Sequence, residues 1–224
     1  MTELTTRRAV ARHRKVMAVA AAGAVLLTGA TVTSLAAWLD EGWVTAGVDG
    51  APGVLAFESE FEFEIEQSVA SEAGAWFDRK TVDVAGVIDF DDIAVALSPG
   101  DVAYGWVSLR TAADSLGGNV TLVSDYTLGD SPLGDALRYG ARLHPDATTC
   151  TAAAFAGTGS ALVPNGSELA EGSGATTFAL AASAAGLPGT PQTVCFRVEL
   201  PSGASNALMG ETADVTWFFD AIST

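Results

Sequence analysis

Cys150, Cys195 and His144 are the side chains beyond the first forty residues of this 224-residue chain best suited to nucleophilic or acid–base chemistry. A Cys150 thiolate activated by His144 would make a thiol dyad. A bridge from Cys150 to Cys195 would consume that nucleophile. An isolated cysteine pair in an oxidising compartment most economically forms one disulfide, two buried free thiols being the alternative. The export features described below favour the bridge. A single histidine cannot supply the zinc motif H-E-x-x-H. Gly159-Ser160-Ala161 lacks the G-x-S-x-G context of a serine nucleophile, and His144 before Pro145 reads as a turn residue. No catalytic residue is assigned, and the chain is expected not to be an enzyme.

Ligand motifs are similarly sparse. Gly157-Thr158-Gly159 falls short of the dinucleotide and phosphate-loop patterns, so no cofactor is expected. Asp89, Asp91 and Asp92 lie close together, as do Asp125 and Asp130, and either group could hold Ca²⁺. Neither has EF-hand spacing, so no metal ligand is assigned. The glutamates at 58, 60, 62, 64 and 66 read as one solvated strand face that repels unwanted edge pairing, rather than as a metal site.

The elements that must carry these residues follow from periodicity. Leu55, Phe57, Phe61, Phe63 and Ile65 alternate with the glutamates, which predicts a half-buried strand with an acidic outer face. Residues 68–79 are ambiguous and read as a loop carrying Trp76. Strands are predicted over 82–90, 93–97, 102–109, 120–126, 137–143, 193–200 and 214–221. A short helix is predicted near 178–185, within the Ala/Gly-rich stretch 151–191. Val102, Tyr104 and Trp106 share one face; Val194, Phe196, Val198 and Leu200 face inward, as do Val215, Trp217 and Phe219. Trp106 and Trp217 read as core anchors. Leu97-Ser98-Pro99-Gly100-Asp101 and Gly117-Gly118-Asn119 read as turns. Many short strands between Gly and Pro turns predict an all-β, jelly-roll-like sandwich forming one domain over residues 37–224.

The whole chain carries 11 Lys+Arg and 27 Asp+Glu, a net charge of -16. Five of the bases, but only one acid, Glu3, precede residue 37. The remainder therefore holds 6 bases against 26 acids, a net charge of -20. Such a surface repels nucleic acid and anionic lipid, which excludes both as expected partners. A hydrophobic content of 49% argues against disorder.

The first forty residues explain the charge asymmetry. Arg7, Arg8, Arg12, Arg14 and Lys15 form a basic head, and an uncharged run follows from Val16 to Leu39. Ser34 and Ala36 supply a small-x-small exit, which predicts a signal peptide over 1–36 cut between Ala36 and Ala37. Retention of 16–39 as a membrane anchor is the alternative, since about 20 apolar residues can span a bilayer. The small-residue exit favours cleavage, with membrane contact only before processing.

Three patches together bear a family likeness. Ala36-Ala37-Trp38-Leu39-Asp40 with Val44-Thr45-Ala46-Gly47 resembles the signal exit of TasA and camelysin-type proteins. Leu97-Ser98-Pro99-Gly100-Asp101 resembles their L-x-P-G-D turn. Val194-Cys195-Phe196-Arg197-Val198-Glu199-Leu200-Pro201 and Thr216-Trp217-Phe218-Phe219-Asp220-Ala221 are similar to the closing strands of an actinobacterial branch. The resemblance implies a jelly roll, processing by a SipW-like signal peptidase, and a secreted role at the cell surface or in biofilm matrix fibres. It also implies that 37–48, with Trp38, Leu39, Trp43 and Val44 as the assembly residues, is a donor strand for a neighbouring copy. Pairing of that segment within its own chain is the plainer outcome. A Ca²⁺-dependent adhesin or carbohydrate-binding module is the alternative function. The two cysteines and the Ala/Gly-rich stretch depart from the family pattern.

Overall fold

Ten strands form two five-stranded sheets, described by a computed structural model over residues 39–47, 63–80, 82–91, 94, 96–144, 150–157 and 160–224. The strands are β1 (Leu39–Gly47), β2 (Ile65–Val69), β3 (Gly86–Asp89), β4 (Val102–Thr111), β5 (Gly118–Ser124), β6 (Arg138–His144), β7 (Ala161–Glu168), β8 (Thr177–Leu180), β9 (Gln192–Glu199) and β10 (Val215–Ser223). Two five-residue helices, α1 (Pro132–Ala136) and α2 (Ala152–Ala156), lie between strands. One sheet runs β3-β1-β10-β5-β8 and the other β2-β4-β9-β6-β7. The fold is an all-β sandwich.

Strand order reveals the winding. Taken along the chain, β1, β5, β8 and β10 belong to one sheet and β4, β6, β7 and β9 to the other. These eight strands follow the two-Greek-key path of a jelly roll. β2 and β3 each extend one sheet at an edge. Every ladder is antiparallel except β1 with β3, which run parallel from Val44↔Gly86 to Gly47↔Asp89.

The core sits between the sheets and is built from period-two residues. Phe196 and Val198 of β9 face Val215, Trp217 and Phe219 of β10, all buried. Trp217 is fully enclosed, its ring centroid 4.9 Å from that of Phe196 and 5.4 Å from that of Tyr139. The Tyr139 hydroxyl donates to the Glu171 carbonyl, and burial pushes this phenol's pKa well up. The Pro99-Gly100 turn forms as read: Asp101 N–H donates to Ser98 O at 2.9 Å, and Gly100 adopts φ +98°. Gly100 N–H also donates to Leu200 O at 2.7 Å, anchoring the turn beside β9.

Several expectations are corrected. Residues 178–185 do not form a helix; Phe178 and Leu180 face inward on β8, which pairs with β5. Residues 82–84 make a 3-10 turn before β3 rather than the start of a strand. Ala94 and Ala96 are also in 3-10 geometry, Ala94 N–H donating to Asp91 O at 2.9 Å. Trp106 is not a sandwich-core anchor: it lies half-buried on the outer face of β4, while Ala103, Gly105, Val107 and Leu109 face in. Phe63 and Ile65 are buried and Glu64 and Glu66 half-exposed, as the alternation requires, while 48–62 lies outside the described residues.

Candidate functional site

The outer face of the β2-β4-β9-β6-β7 sheet carries a second, smaller apolar cluster around the cysteines. Trp106 of β4 and Arg142 of β6 stand on either side of Cys195 in the ladder. Cys195 is bonded to Cys150, with Cα atoms 5.5 Å apart. The bridge clips α2 onto this face, and Ala154 and Phe155 pack there with Trp106. No thiolate remains for His144, which ends β6 opposite Thr193.

Arg142 completes the attachment. Although only 6% exposed, it donates from Nη1 to the Ala154 carbonyl at 2.7 Å and from Nη2 to the Gly157 carbonyl at 3.0 Å. A guanidinium at the C-terminal end of a helix satisfies carbonyls that have no partner within the helix. Its central carbon also lies 5.7 Å from the Phe155 ring centre.

Beside this clip opens a shallow cleft of about 350 Å³, lined by Tyr104, Phe155, Asn165, Arg197 and Glu199 among others. The Tyr104 and Phe155 rings stand 5.8 Å apart. Arg197 pairs with Glu199 at 2.5 Å along the same strand. Gly140 faces Arg197 across the ladder, and a Cβ there would come within 3.0 Å of Asn165 Cα. The glycine thus lets the β7 backbone lean over the sheet. Aromatic faces beside a fixed guanidinium, carboxylate and amide can stack on and hydrogen-bond to a polar, ring-bearing ligand.

The second candidate is the β1 slot. β1 pairs with β10 from Leu39↔Ile222 to Ala46↔Val215 and with β3 on its other side. Of the expected assembly residues, Leu39, Trp43 and Val44 lie in this strand, opposite Ile222, Phe218 and Trp217. In this structure the strand pairs within its own chain. Ala36, Ala37 and Trp38 lie outside the described residues.

The electrostatics are one-sided. All six bases of residues 37–224 are engaged on or beside the β2-containing sheet: Arg79 with Glu72, Lys80 with Glu64 and Asp78, Arg110 with Glu66, Arg138 with Glu168, Arg197 with Glu199, and Arg142 with α2. Glu64 and Glu66 are therefore ion-pair partners rather than a purely solvated row. Arg110 also covers the Trp76 ring at 4.1 Å. Lys80 reaches Glu64 and Asp78 at 2.9 Å each. Burial, with Glu64 nearby, pushes the Asp78 carboxyl up to about 6 against the pull of Lys80.

The acidic groups do not converge. Among the described residues no three His, Cys, Asp or Glu side chains come close enough to hold a metal ion. Asp130 instead accepts from Thr127 N–H at 3.3 Å, closing a local turn. Among the described residues no helix is long and apolar enough to cross a membrane. The clip through Arg142 and α2 was not legible in the sequence, because its partners are backbone carbonyls across a break in periodicity. No family model, curated protein or solved structure matches this chain.

Proposed function

We propose that this chain is an exported structural protein of the cell surface or extracellular matrix, non-enzymatic, whose copies join by exchanging β1. The observation that carries the reading is the place of β1: it is the first strand among the described residues, yet it fills an interior position between β10 and β3. Withdrawal of β1 would open a slot along Val215, Trp217 and Phe219 whose register fits β1 of another copy. Such a head-to-tail contact does not close, so it yields filaments. Export, with removal of 1–36 by a SipW-like peptidase, rests on the basic head, apolar run and small-residue exit. The disulfide supports it, since such bridges persist in oxidising compartments.

Register-matched cysteines test the exchange. Thr45 faces Thr216 across the β1–β10 ladder. Two separate variants, Thr45→Cys and Thr216→Cys, are mixed, unfolded, refolded together and oxidised. Strand exchange gives a reducible heterodimer and, for the double variant, a ladder of higher species on a non-reducing gel. Crosslinking confined to monomers of the double variant at every concentration would sink the reading.

The outer-face cleft favours a second reading, a carbohydrate-binding module. Tyr104 stacking on a sugar ring, with Arg197, Glu199 and Asn165 bonding its hydroxyls, is the chemistry this cleft offers. Glycan-array binding lost in Tyr104→Ala would support it, and an unchanged array would remove it.

A further inference from the structure

The end of the sandwich beside the Pro99-Gly100 turn is hollow. A cavity of about 820 Å³ opens between the sheets there. Val198 and Leu200 form one wall and Val215 and Trp217 the other, with Leu137 and Leu169 at the side; all six are buried. The rim continues the apolar lining outward through half-exposed Leu133, Leu208 and Ala213 to Met209, which is 87% exposed. A hollow of this size lies within the roughly 300–1,000 Å³ range of small-molecule sites.

The lining specifies the ligand. Among the described residues it contains no lysine, arginine or histidine, and it includes the carboxylates of exposed Glu211 and Asp214. The six bases that could have balanced an anion are all engaged elsewhere on or beside the β2-containing sheet, and none of them is in the cavity lining. An anionic head group drawn into this site would meet two like charges and no counter-charge, at a cost water does not impose. A neutral hydrocarbon chain meets an apolar floor of Leu137, Val198, Leu200 and Val215, with Ser98, Ser205, Asn206 and Thr212 also in the lining, and the apolar surface it buries there favours it. The unbranched Met209 side chain at the rim can re-pack around a guest's exposed end.

We propose that this cavity is a binding site for an uncharged, long-chain apolar molecule, and that Glu211 and Asp214 make it discriminate against the corresponding carboxylate. The site is separate from the outer-face cleft; it shares Val215 and Trp217 with the β1 slot, but dye uptake by a chain whose own β1 is in place tests it apart from the proposed assembly.

Uptake of Nile red by the purified protein, followed by displacement with dodecanol and with dodecanoate at pH 7.5, tests this. The expected result is one dye per chain, with the alcohol displacing it at a concentration at least about tenfold lower than the carboxylate. Ala213→Phe, which fills the mouth, should lower dye uptake at least tenfold. Met209→Lys changes a side chain that is almost wholly exposed, so the fold is kept even if Ala213→Phe is poorly folded. It should narrow the alcohol-to-carboxylate preference several-fold. Absence of dye uptake, equal displacement by the two ligands, uptake unchanged in a folded Ala213→Phe, or an unaltered preference in Met209→Lys would each overturn the proposal.

Discussion

Arg142 holds the far end of a helix that Cys195, its neighbour in the ladder, holds by the near end. The guanidinium takes the Ala154 and Gly157 carbonyls, while the disulfide secures Cys150 just before α2. Arg142→Met should therefore lower stability by about 1.5–3 kcal/mol, the range for hydrogen bonds to a charged group, with the Ala154 carbonyl left buried. Arg142→Lys should recover only part of this, because an ammonium cannot span both carbonyls with a planar fork. Urea unfolding of the two variants measures the difference.

The disulfide closes a separation of 45 residues. On loop-closure grounds it contributes about 3–4 kcal/mol. Alkylation of the denatured but unreduced protein should label no cysteine. The double variant Cys150→Ala/Cys195→Ala should show the stated loss. Because the bridge and Arg142 secure one helix, combining it with Arg142→Met should cost less than the sum of the separate losses.

Asp78 supplies a pH signature. Its carboxyl is pushed from an ordinary 3.8 to about 6, first by burial and then by Glu64. The folded chain thus holds this proton more tightly than the unfolded chain does. The associated stability is fully present below about pH 4 and is lost as the pH rises through about 6. Burial also raises Glu64, but hydrogen bonds with Asp78 and Lys80 outweigh it and leave Glu64 below its ordinary value. Its contribution has the opposite sign and disappears on strong acidification. Asp78→Asn should flatten the stability profile between pH 4 and 6 and raise stability at pH 7. The gain should be only about 0.5 kcal/mol, since solvent screens a side chain this exposed. Denaturant titrations at several pH values provide the check.

Gly134 in α1 lies under Tyr126. A Cβ there would meet the Tyr126 hydroxyl oxygen first and two ring carbons at 2.6 Å, while that hydroxyl donates to Asp135 Oδ1 at 2.9 Å. Gly134→Ala should cost about 1–3 kcal/mol through overpacking, despite alanine's better helix propensity. Tyr126→Phe in the same background removes the nearest clashing atom but leaves the ring carbons, so it should relieve part of that cost. Thermal unfolding of Gly134→Ala, Tyr126→Phe and the double variant distinguishes the clash from loss of the hydrogen bond.

The legible parts of the sequence were those where one face is apolar and the other polar. β9 and β10 alternate cleanly, so Phe196, Val198, Trp217 and Phe219 could be assigned inward before any coordinates. β4 has large side chains on both faces, and period two alone cannot say that Tyr104 and Trp106 face out. The stretch near Phe178 has alanines that suit a helix, but pairing with β5 over Gly118–Thr121 fixes Thr177–Leu180 as a strand. The parallel β1–β3 pairing and the cavity at the sandwich end arise from tertiary placement, to which local pattern is blind. The outer-face cleft likewise depends on Gly140, whose missing side chain matters only through Asn165 on another strand.

The antiparallel alignment of β1 with β10 has a mechanical consequence. Leu39 and Ile222 mark the same end of the ladder, so tension applied between them pulls across the strands and breaks the rungs one after another. A β1 strand lent to another copy would be loaded along its axis from the Gly47 side instead. The rungs to β10 and β3 would then share the force at once, in shear. The same ladder is a zipper when tugged within one chain and a lap joint when it links two.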